Sequence, residues 1–65
     1  MDRFFVIITV QASNPARVIT NTGNIFETDP VKRFTSVFQM VCQRNGLSED
    51  ATSVLFYSVE KMPAA

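Results

Sequence analysis

The sequence predicts a small α+β domain in which one helix packs across a mixed sheet, with the element order strand, strand, helix, strand. Only residues 29–46 carry a complete set of helix signals. Three other segments are rich in β-branched and aromatic residues and are flanked by turn formers. Because the chain has 65 residues, no internal repeat and no linker, residues 1–65 are expected to form a single domain.

The first predicted strand covers residues 4–11. Its even positions form an unbroken apolar face, which we expect to meet the helix: Phe4, Val6, Ile8 and Val10. The other face begins apolar at Phe5 and Ile7 and ends polar at Thr9 and Gln11, as is typical of a strand with a neighbour on each side. The turn formers around Asn14 and Pro15 predict that the chain reverses between residues 12 and 16.

Two interpretations compete for residues 17–28, where strand-like sequence is interrupted by Asn21-Thr22-Gly23-Asn24. The segment is either one long strand with a bulge near Gly23 or two short strands joined by a tight turn at Thr22-Gly23. We favour the bulged strand, because this segment must still deliver the chain to the start of the helix at Asp29.

Both ends of the helix are marked in the sequence. Asp29 is suited to cap the first turn, and Pro30 fits the first helical position. Arg44 lies in the last turn, and Gly46 can adopt the left-handed conformation that ends a helix. The 100° step per residue places an apolar arc on one side and polar residues on the other. The predicted arc is Val31, Phe34, Val37, Phe38 and Val41; the polar side is Lys32, Thr35, Gln39 and Gln43.

The third predicted strand covers residues 53–59 and follows an acidic connection, 47–52, that could form a single turn. Strict alternation puts Val54 and Phe56 on one face, opposite Leu55, Tyr57 and Val59. We therefore expect the helix to pack on this strand through Phe56 as well as on the first strand, and residues 60–65 to form a turn or tail. The expected contacts join Phe34, Phe38 and Val41 to Phe4, Val6, Ile8 and Phe56.

The composition argues against catalysis. The chain has no histidine, a single cysteine and no Gly-rich phosphate loop, so the commonest general base, a thiolate metal site and a nucleotide-binding loop are all missing. The acidic pairs Glu27/Asp29 and Glu49/Asp50 fit a helix cap and a solvated loop better than an acid/base pair. We expect a protein that is not an enzyme and that needs no cofactor or metal.

Charge and hydropathy narrow the choice of partners. Six acidic and six basic residues cancel, so nucleic-acid binding is disfavoured. The apolar run from Phe4 to Val10 is too short to cross a bilayer. The lone Cys42 lies inside the predicted helix, which favours a reduced, intracellular protein of the nucleus or cytoplasm.

Residues 41–48, at the end of the helix, resemble the SUMO branch of ubiquitin-like domains, in which a Cys-x-Arg-x-Gly pattern closes the single helix. Residues 25–28 align without a gap to the second strand of that family, which extends the match to residues 25–48. Residues 33–38 are also similar to the SUMO-like domains that occur as tandem pairs in genome-maintenance proteins.

The resemblance implies a ubiquitin-like β-grasp fold and a non-covalent protein-protein interaction function. In SUMO proteins an extended hydrophobic peptide adds to the second strand and lies in the groove between that strand and the helix. The implied partner is such a peptide or a SUMO-pathway protein. The partner-binding residues implied by position, together with their neighbours on the same helix flank, are Ile25, Phe26, Glu27, Thr28, Arg33, Val37, Met40 and Arg44.

The chain departs from the family in three respects. The loop after the helix does not align cleanly, and the glycine that normally follows the third strand is missing from residues 57–60. Glu27 and Asp29 stand where family members carry basic residues along the second strand, and two further strands would be expected after Ala65. Either the domain is incomplete at its C-terminus, or the first strand pairs directly with residues 54–59 or with another copy. The alternative hypothesis is a free-standing ββαβ protein that homodimerises through an exposed strand and regulates or inhibits a partner.

Overall fold

The computed structural model describes residues 2–13 and 16–63. Strand β1 (Arg3–Ala12) is followed by strand β2 (Arg17–Ile25), helix α1 (Pro30–Asn45) and strand β3 (Thr52–Met62). The acidic connection forms a short 3-10 helix, Glu49–Ala51, as expected for a single turn. The chain is thus a small α+β fold, and the predicted order of strand, strand, helix, strand is confirmed.

The sheet has the order β2-β1-β3, so β1 is central as predicted. The expectation of a mixed sheet is wrong, because β1 runs antiparallel to both neighbours. Of the two arrangements considered for the first strand, the structure shows direct pairing between β1 and β3.

Strand β2 is one regular strand. Its register with β1 runs without a shift from the pair Phe4–Ile25 to the pair Ala12–Arg17. Both interpretations of Gly23, as a bulge and as a tight turn, are therefore wrong: a residue of β1 lies opposite every position of β2, and the φ angle of Gly23 is not positive. The pairing of Ala12 with Arg17 confirms the chain reversal, although the predicted turn residues Asn14 and Pro15 lie outside the described residues.

The bulge is instead in β3. Thr9 pairs with Phe56 and Val10 pairs with Val54, so Leu55 has no partner in the register. The extra residue reverses the alternation, which places Val54 on the same face as Tyr57 and Val59, against the core. The predicted packing of Phe56 on the helix is therefore wrong: its side chain is 53% exposed, on the opposite face of the sheet. Strand β3 also continues to Met62, three positions beyond the predicted end, because the pairing with β1 continues to Arg3.

The predicted caps of α1 are confirmed. The Asp29 carboxylate accepts hydrogen bonds from the backbone N–H groups of Val31 (2.9 Å) and Lys32 (3.2 Å). Gly46 has φ 65°. The backbone N–H of Leu47 donates to the Cys42 carbonyl at 2.8 Å, which completes a Schellman motif.

The core lies between α1 and the even-numbered face of β1. Its fully buried side chains are Val6, Ile8, Val10, Val37, Val41 and Cys42. At the margin of the core, the rings of Phe34 and Phe38 are stacked with their centroids 6.2 Å apart. The rings of Phe34 and Tyr57 form an edge-to-face contact with their centroids 5.0 Å apart. The expected inward position of Val31 is wrong, since this residue is 74% exposed in the first turn, whereas complete burial of apolar residues begins at Val37. No helix in residues 2–13 and 16–63 is long and apolar enough to cross a membrane.

Candidate protein-interaction surface

The candidate surface consists of the outer edge of β2 and the neighbouring flank of α1. Strand β2 is the first strand in the sheet order, so only β1 is paired with it. Within the described ranges, the other side of β2 has no strand beside it. An extended edge of this kind presents backbone N–H and C=O groups that a strand from another chain can pair with.

The two edges of the sheet differ in how well they accept another strand. Strand β2 is regular, and apart from Arg17 at its start it contains neither a charged residue nor a proline. Strand β3 carries the bulge at Leu55 and the charged residues Glu60 and Lys61. Bulges and charges are the features by which proteins prevent pairing at an edge. The sheet therefore has one guarded edge, β3, and one unguarded edge, β2.

The strand half of the sequence-predicted site lies at the end of β2 and just beyond it. Ile25 is the last residue of β2 and packs against the core. Phe26 follows it with 54% of its surface exposed. Glu27 and Thr28 belong to the connection that leads to α1, and a Glu27 carboxylate oxygen accepts a hydrogen bond from the Asp29 N–H at 3.1 Å.

The helix half divides into buried and exposed residues. Val37 is 1% exposed and belongs to the core, and Arg33 is 9% exposed. Met40 is 38% exposed and Arg44 is exposed. The side chains that the helix and the end of β2 offer to a partner are therefore Phe26, Met40 and Arg44.

Arg33 holds the connection between β2 and α1. Its Nε donates to the Glu27 carbonyl at 2.9 Å, and its Nη2 donates to the Thr28 carbonyl at 3.0 Å. The guanidinium carbon lies 3.8 Å from the centroid of the Phe4 ring, in a cation–π contact. These contacts fix the backbone of Glu27 and Thr28, two residues of the predicted site. Arg33 is therefore a buried residue that positions the candidate surface.

Further hydrogen bonds join the last turn of α1 to β2. Asn45 Nδ2 donates to Asn21 Oδ1 at 3.1 Å and to the Val41 carbonyl at 2.8 Å. Arg17 Nη1 donates to the Asn45 carbonyl at 3.3 Å. The last turn of α1 is thus tied to β2.

Two buried groups have perturbed pKa values. Burial raises the pKa of the Tyr57 hydroxyl, and the nearby Arg33 cation lowers it by less. Burial also raises the pKa of the Cys42 thiol; a hydrogen bond with Thr52 lowers it, and the charge of Glu49 raises it further. Both groups are therefore kept in their neutral forms near pH 7, and neither faces the candidate surface.

The face of the sheet opposite α1 carries exposed apolar side chains that were not predicted from the sequence. Leu55 is 55% exposed and Phe56 is 53% exposed, and Val18 on β2 is 63% exposed. The bulge turns Phe56 to this face, and the sequence of residues 53–59 contains no glycine or other signal that would reveal a bulge.

The direct pairing of β1 with β3 bears on the resemblance to SUMO-like domains. In that family the last strand lies between the first and third strands, whereas here β1 and β3 are hydrogen-bonded to each other. The position of that last strand is therefore occupied by β3. Comparison of the chain with protein-family models, with curated proteins and with solved structures finds no match.

Proposed function

We propose that this chain is a non-enzymatic protein-interaction module that binds an extended, apolar segment of a partner protein by β-augmentation on β2. The observation that carries the proposal is the difference between the edges: β2 is regular and, after Arg17, uncharged, whereas β3 has a bulge and the charged residues Glu60 and Lys61. Backbone pairing at a free edge supplies affinity, and neighbouring side chains supply selectivity.

The exposed side chains beside β2 define the partner's chemistry. Phe26 and Met40 offer apolar surface, and Arg44 offers a cation for a carboxylate of the partner. Glu27 adds an acidic group just beyond the end of β2. The partner segment is therefore a Val- or Ile-rich strand with few charges. The resemblance to SUMO-like domains supports this mode of binding, with the helix contacts made by Met40 and Arg44, because Arg33 and Val37 are buried.

A second candidate function follows from the same edge. An unguarded strand can pair with β2 of another copy as well as with a foreign peptide, which would give a homodimer with a continuous sheet. A chain that remains monomeric in sedimentation as its concentration rises excludes the edge dimer. If a dimer forms, protection of the outward amides of β2 in hydrogen exchange shows whether this edge is paired.

The proposal is tested by titrating a short Val- and Ile-rich peptide into the isotopically labelled protein while recording amide chemical shifts. We expect the shifts to change along Arg17–Ile25 and at Phe26, and to remain constant along β3. A peptide N-methylated at alternate residues provides the control. Methylation in the register that faces β2 removes the donors and should abolish binding, whereas methylation in the other register should preserve it. Unchanged β2 shifts at millimolar peptide would contradict the proposal.

A matched pair of helix variants tests the side-chain part of the surface. Met40→Glu places a carboxylate beside the apolar peptide and should weaken binding by about tenfold, roughly 1.4 kcal/mol. Gln39→Glu introduces the same group on the exposed side of α1 away from β2 and should leave the affinity unchanged. Equal affinities for the two variants, measured by fluorescence titration, would remove Met40 from the surface.

A further inference from the structure

The sheet face opposite α1, here called the bare face, is defined by the register of the three strands. Its central line is formed by the odd-numbered residues of β1, of which Phe5 and Ile7 are half-buried. On one side, Thr20 of β2 pairs with Thr9; on the other side, Phe56 of β3 pairs with the same threonine. None of the described residues covers this face, since α1 packs on the opposite side of β1.

The middle of the bare face is uncharged and partly apolar. Its side chains across the three strands are Val18, Gln11, Ser53, Thr20, Thr9, Phe56, Thr22, Ile7 and Ser58. At the bulge, the consecutive residues Leu55 and Phe56 are both more than half exposed, which adds the large apolar side chain of Leu55 beside that of Phe56. A bulge at this position re-aims side chains, which is a common arrangement next to functional surfaces.

The polar groups of this face are already partly satisfied. The Oγ1 atoms of Thr9 and Thr20 are hydrogen-bonded to each other at 2.8 Å across the β1–β2 pair. A hydroxyl with a partner is far less costly to bury than one without a partner. The centre of the bare face can therefore lose its water without leaving these two hydroxyls unpaired.

The two sides of the bare face have different heights. Strand β3 carries the large side chain of Phe56, whereas the residue of β2 level with it is the smaller Thr20. A two-fold axis parallel to the strands and between two stacked sheets places β3 of one copy over β2 of the other. Each large side then meets a small side, once in each half of the interface.

The axis places the charged residues of this face together at one end, where Arg3 of one copy faces Arg3 of the other and Glu60 of each copy lies one strand to the side. Glu60 on β3 pairs with Phe5, which pairs with Asn24 on β2, so the carboxylate of one copy faces an amide of the other. Stacked antiparallel sheets pack about 10 Å apart with their strands nearly aligned, which this symmetry allows.

The area is sufficient for a dimer. Three strands spaced about 4.8 Å apart and about ten residues long give a face of roughly 14 by 34 Å, or about 480 Å². Two flat faces of this size would bury about 960 Å², close to the roughly 1,000 Å² of a small specific interface, and projecting side chains such as Phe56 add to this area. We propose that the occupant of the bare face is a second copy of this chain, packed sheet to sheet about a two-fold axis parallel to the strands.

The test begins with sedimentation equilibrium of the unmodified chain across micromolar to millimolar concentration, where we expect a monomer–dimer equilibrium. Phe56→Glu should weaken the dimer by at least about 100-fold, because it places an unpaired carboxylate inside the interface. Val31→Glu, at a position 74% exposed on α1, introduces the same charge away from the bare face and should leave the equilibrium unchanged. Leu55→Glu provides an independent variant if Phe56→Glu fails to fold by circular dichroism.

Isotope-filtered contacts between labelled and unlabelled copies test the arrangement, with the Phe56 ring of one copy expected next to the Thr20 methyl of the other. A monomer at millimolar concentration would overturn the proposal. A dimer that is weakened by neither Phe56→Glu nor Leu55→Glu would also overturn it. Hydrogen exchange distinguishes it from pairing at β2, because the sheet-to-sheet dimer leaves both β2 edges exposed and their outward amides unprotected. Failure of this dimer therefore leaves the peptide-binding proposal untouched.

Discussion

Tyr57 is the residue whose environment makes the most specific prediction at the residue scale. Its hydroxyl is buried and has no hydrogen-bond partner among the described residues. Since an unpaired buried hydroxyl is costly, Tyr57→Phe should stabilise the protein by about 1 kcal/mol in urea denaturation at pH 7. The ring contact with Phe34 at 5.0 Å does not involve the hydroxyl and should be retained. A destabilised variant would show that this hydroxyl is hydrogen-bonded in solution.

The same residue predicts a pH dependence. Because burial raises the pKa of Tyr57 above its ordinary value of 10.0, the folded protein retains a proton that the unfolded chain loses. The stability contributed by the neutral phenol is complete below pH 10 and is lost as the pH rises through the folded-state pKa. The advantage of Tyr57→Phe over the unmodified protein should therefore grow above pH 10. Parallel stability curves between pH 8 and pH 11 would contradict the raised pKa; the Cys42 contribution is common to both proteins and cancels.

Arg33 allows a test of how the candidate surface is positioned. Arg33→Lys keeps the positive charge but loses the two-carbonyl contact with Glu27 and Thr28 and weakens the stacking on Phe4. We expect a loss of about 1–2 kcal/mol in the free energy of unfolding. Arg44→Lys, at an exposed position on the same helix, is the matched control and should change stability by less than about 0.5 kcal/mol. Equal stability of the two variants would remove Arg33 from this role.

At the element scale, the two glycines provide a comparison within one chain. An added Cβ would meet no atom within 4 Å at either Gly23 or Gly46, so crowding is not a factor. Gly46 has φ 65°, whereas Gly23 lies in the regular strand β2. Gly46→Ala should lower the free energy of unfolding by about 1 kcal/mol in thermal or urea denaturation, because Gly46, unlike Gly23, has a left-handed backbone conformation. Gly23→Ala should be neutral or slightly stabilising. Equal losses would contradict the Schellman cap.

The elements differ in how far local sequence determines them. Helix α1 was predicted in both bounds because Asp29, Pro30 and Gly46 each act on neighbouring backbone groups. The apolar face of β1 was predicted because a regular strand alternates strictly. The bulge at Leu55 could not be predicted, since it depends on how β3 fits against β1 rather than on the sequence of β3 itself. That single inserted residue places Phe56 on the face away from the helix, whereas Val54, expected on the same face as Phe56, lies against the core.

At the scale of the whole molecule, the sequence indicated which elements could form a site but not how closely they approach. The flank of Arg33, Val37, Met40 and Arg44 follows from helical geometry, whereas the burial of its first two members depends on the separation of α1 from the sheet. Similarly, the composition of β2 was visible in the sequence. That β2 is the edge suited to pair with a partner strand follows only from the structure. The sheet order makes β2 an edge strand, and the bulge and the charged residues lie on the opposite edge, β3.

The central proposal, that β2 is the edge that accepts a partner strand, is tested most directly by amide hydrogen exchange with and without a Val- and Ile-rich peptide. At a peptide concentration ten times the Kd, we expect exchange of the outward-facing amides of Arg17–Ile25 to slow by about tenfold. The outer amides of Thr52–Met62 should exchange at an unchanged rate. Protection along β3 instead of β2, or along neither edge, would contradict the proposal.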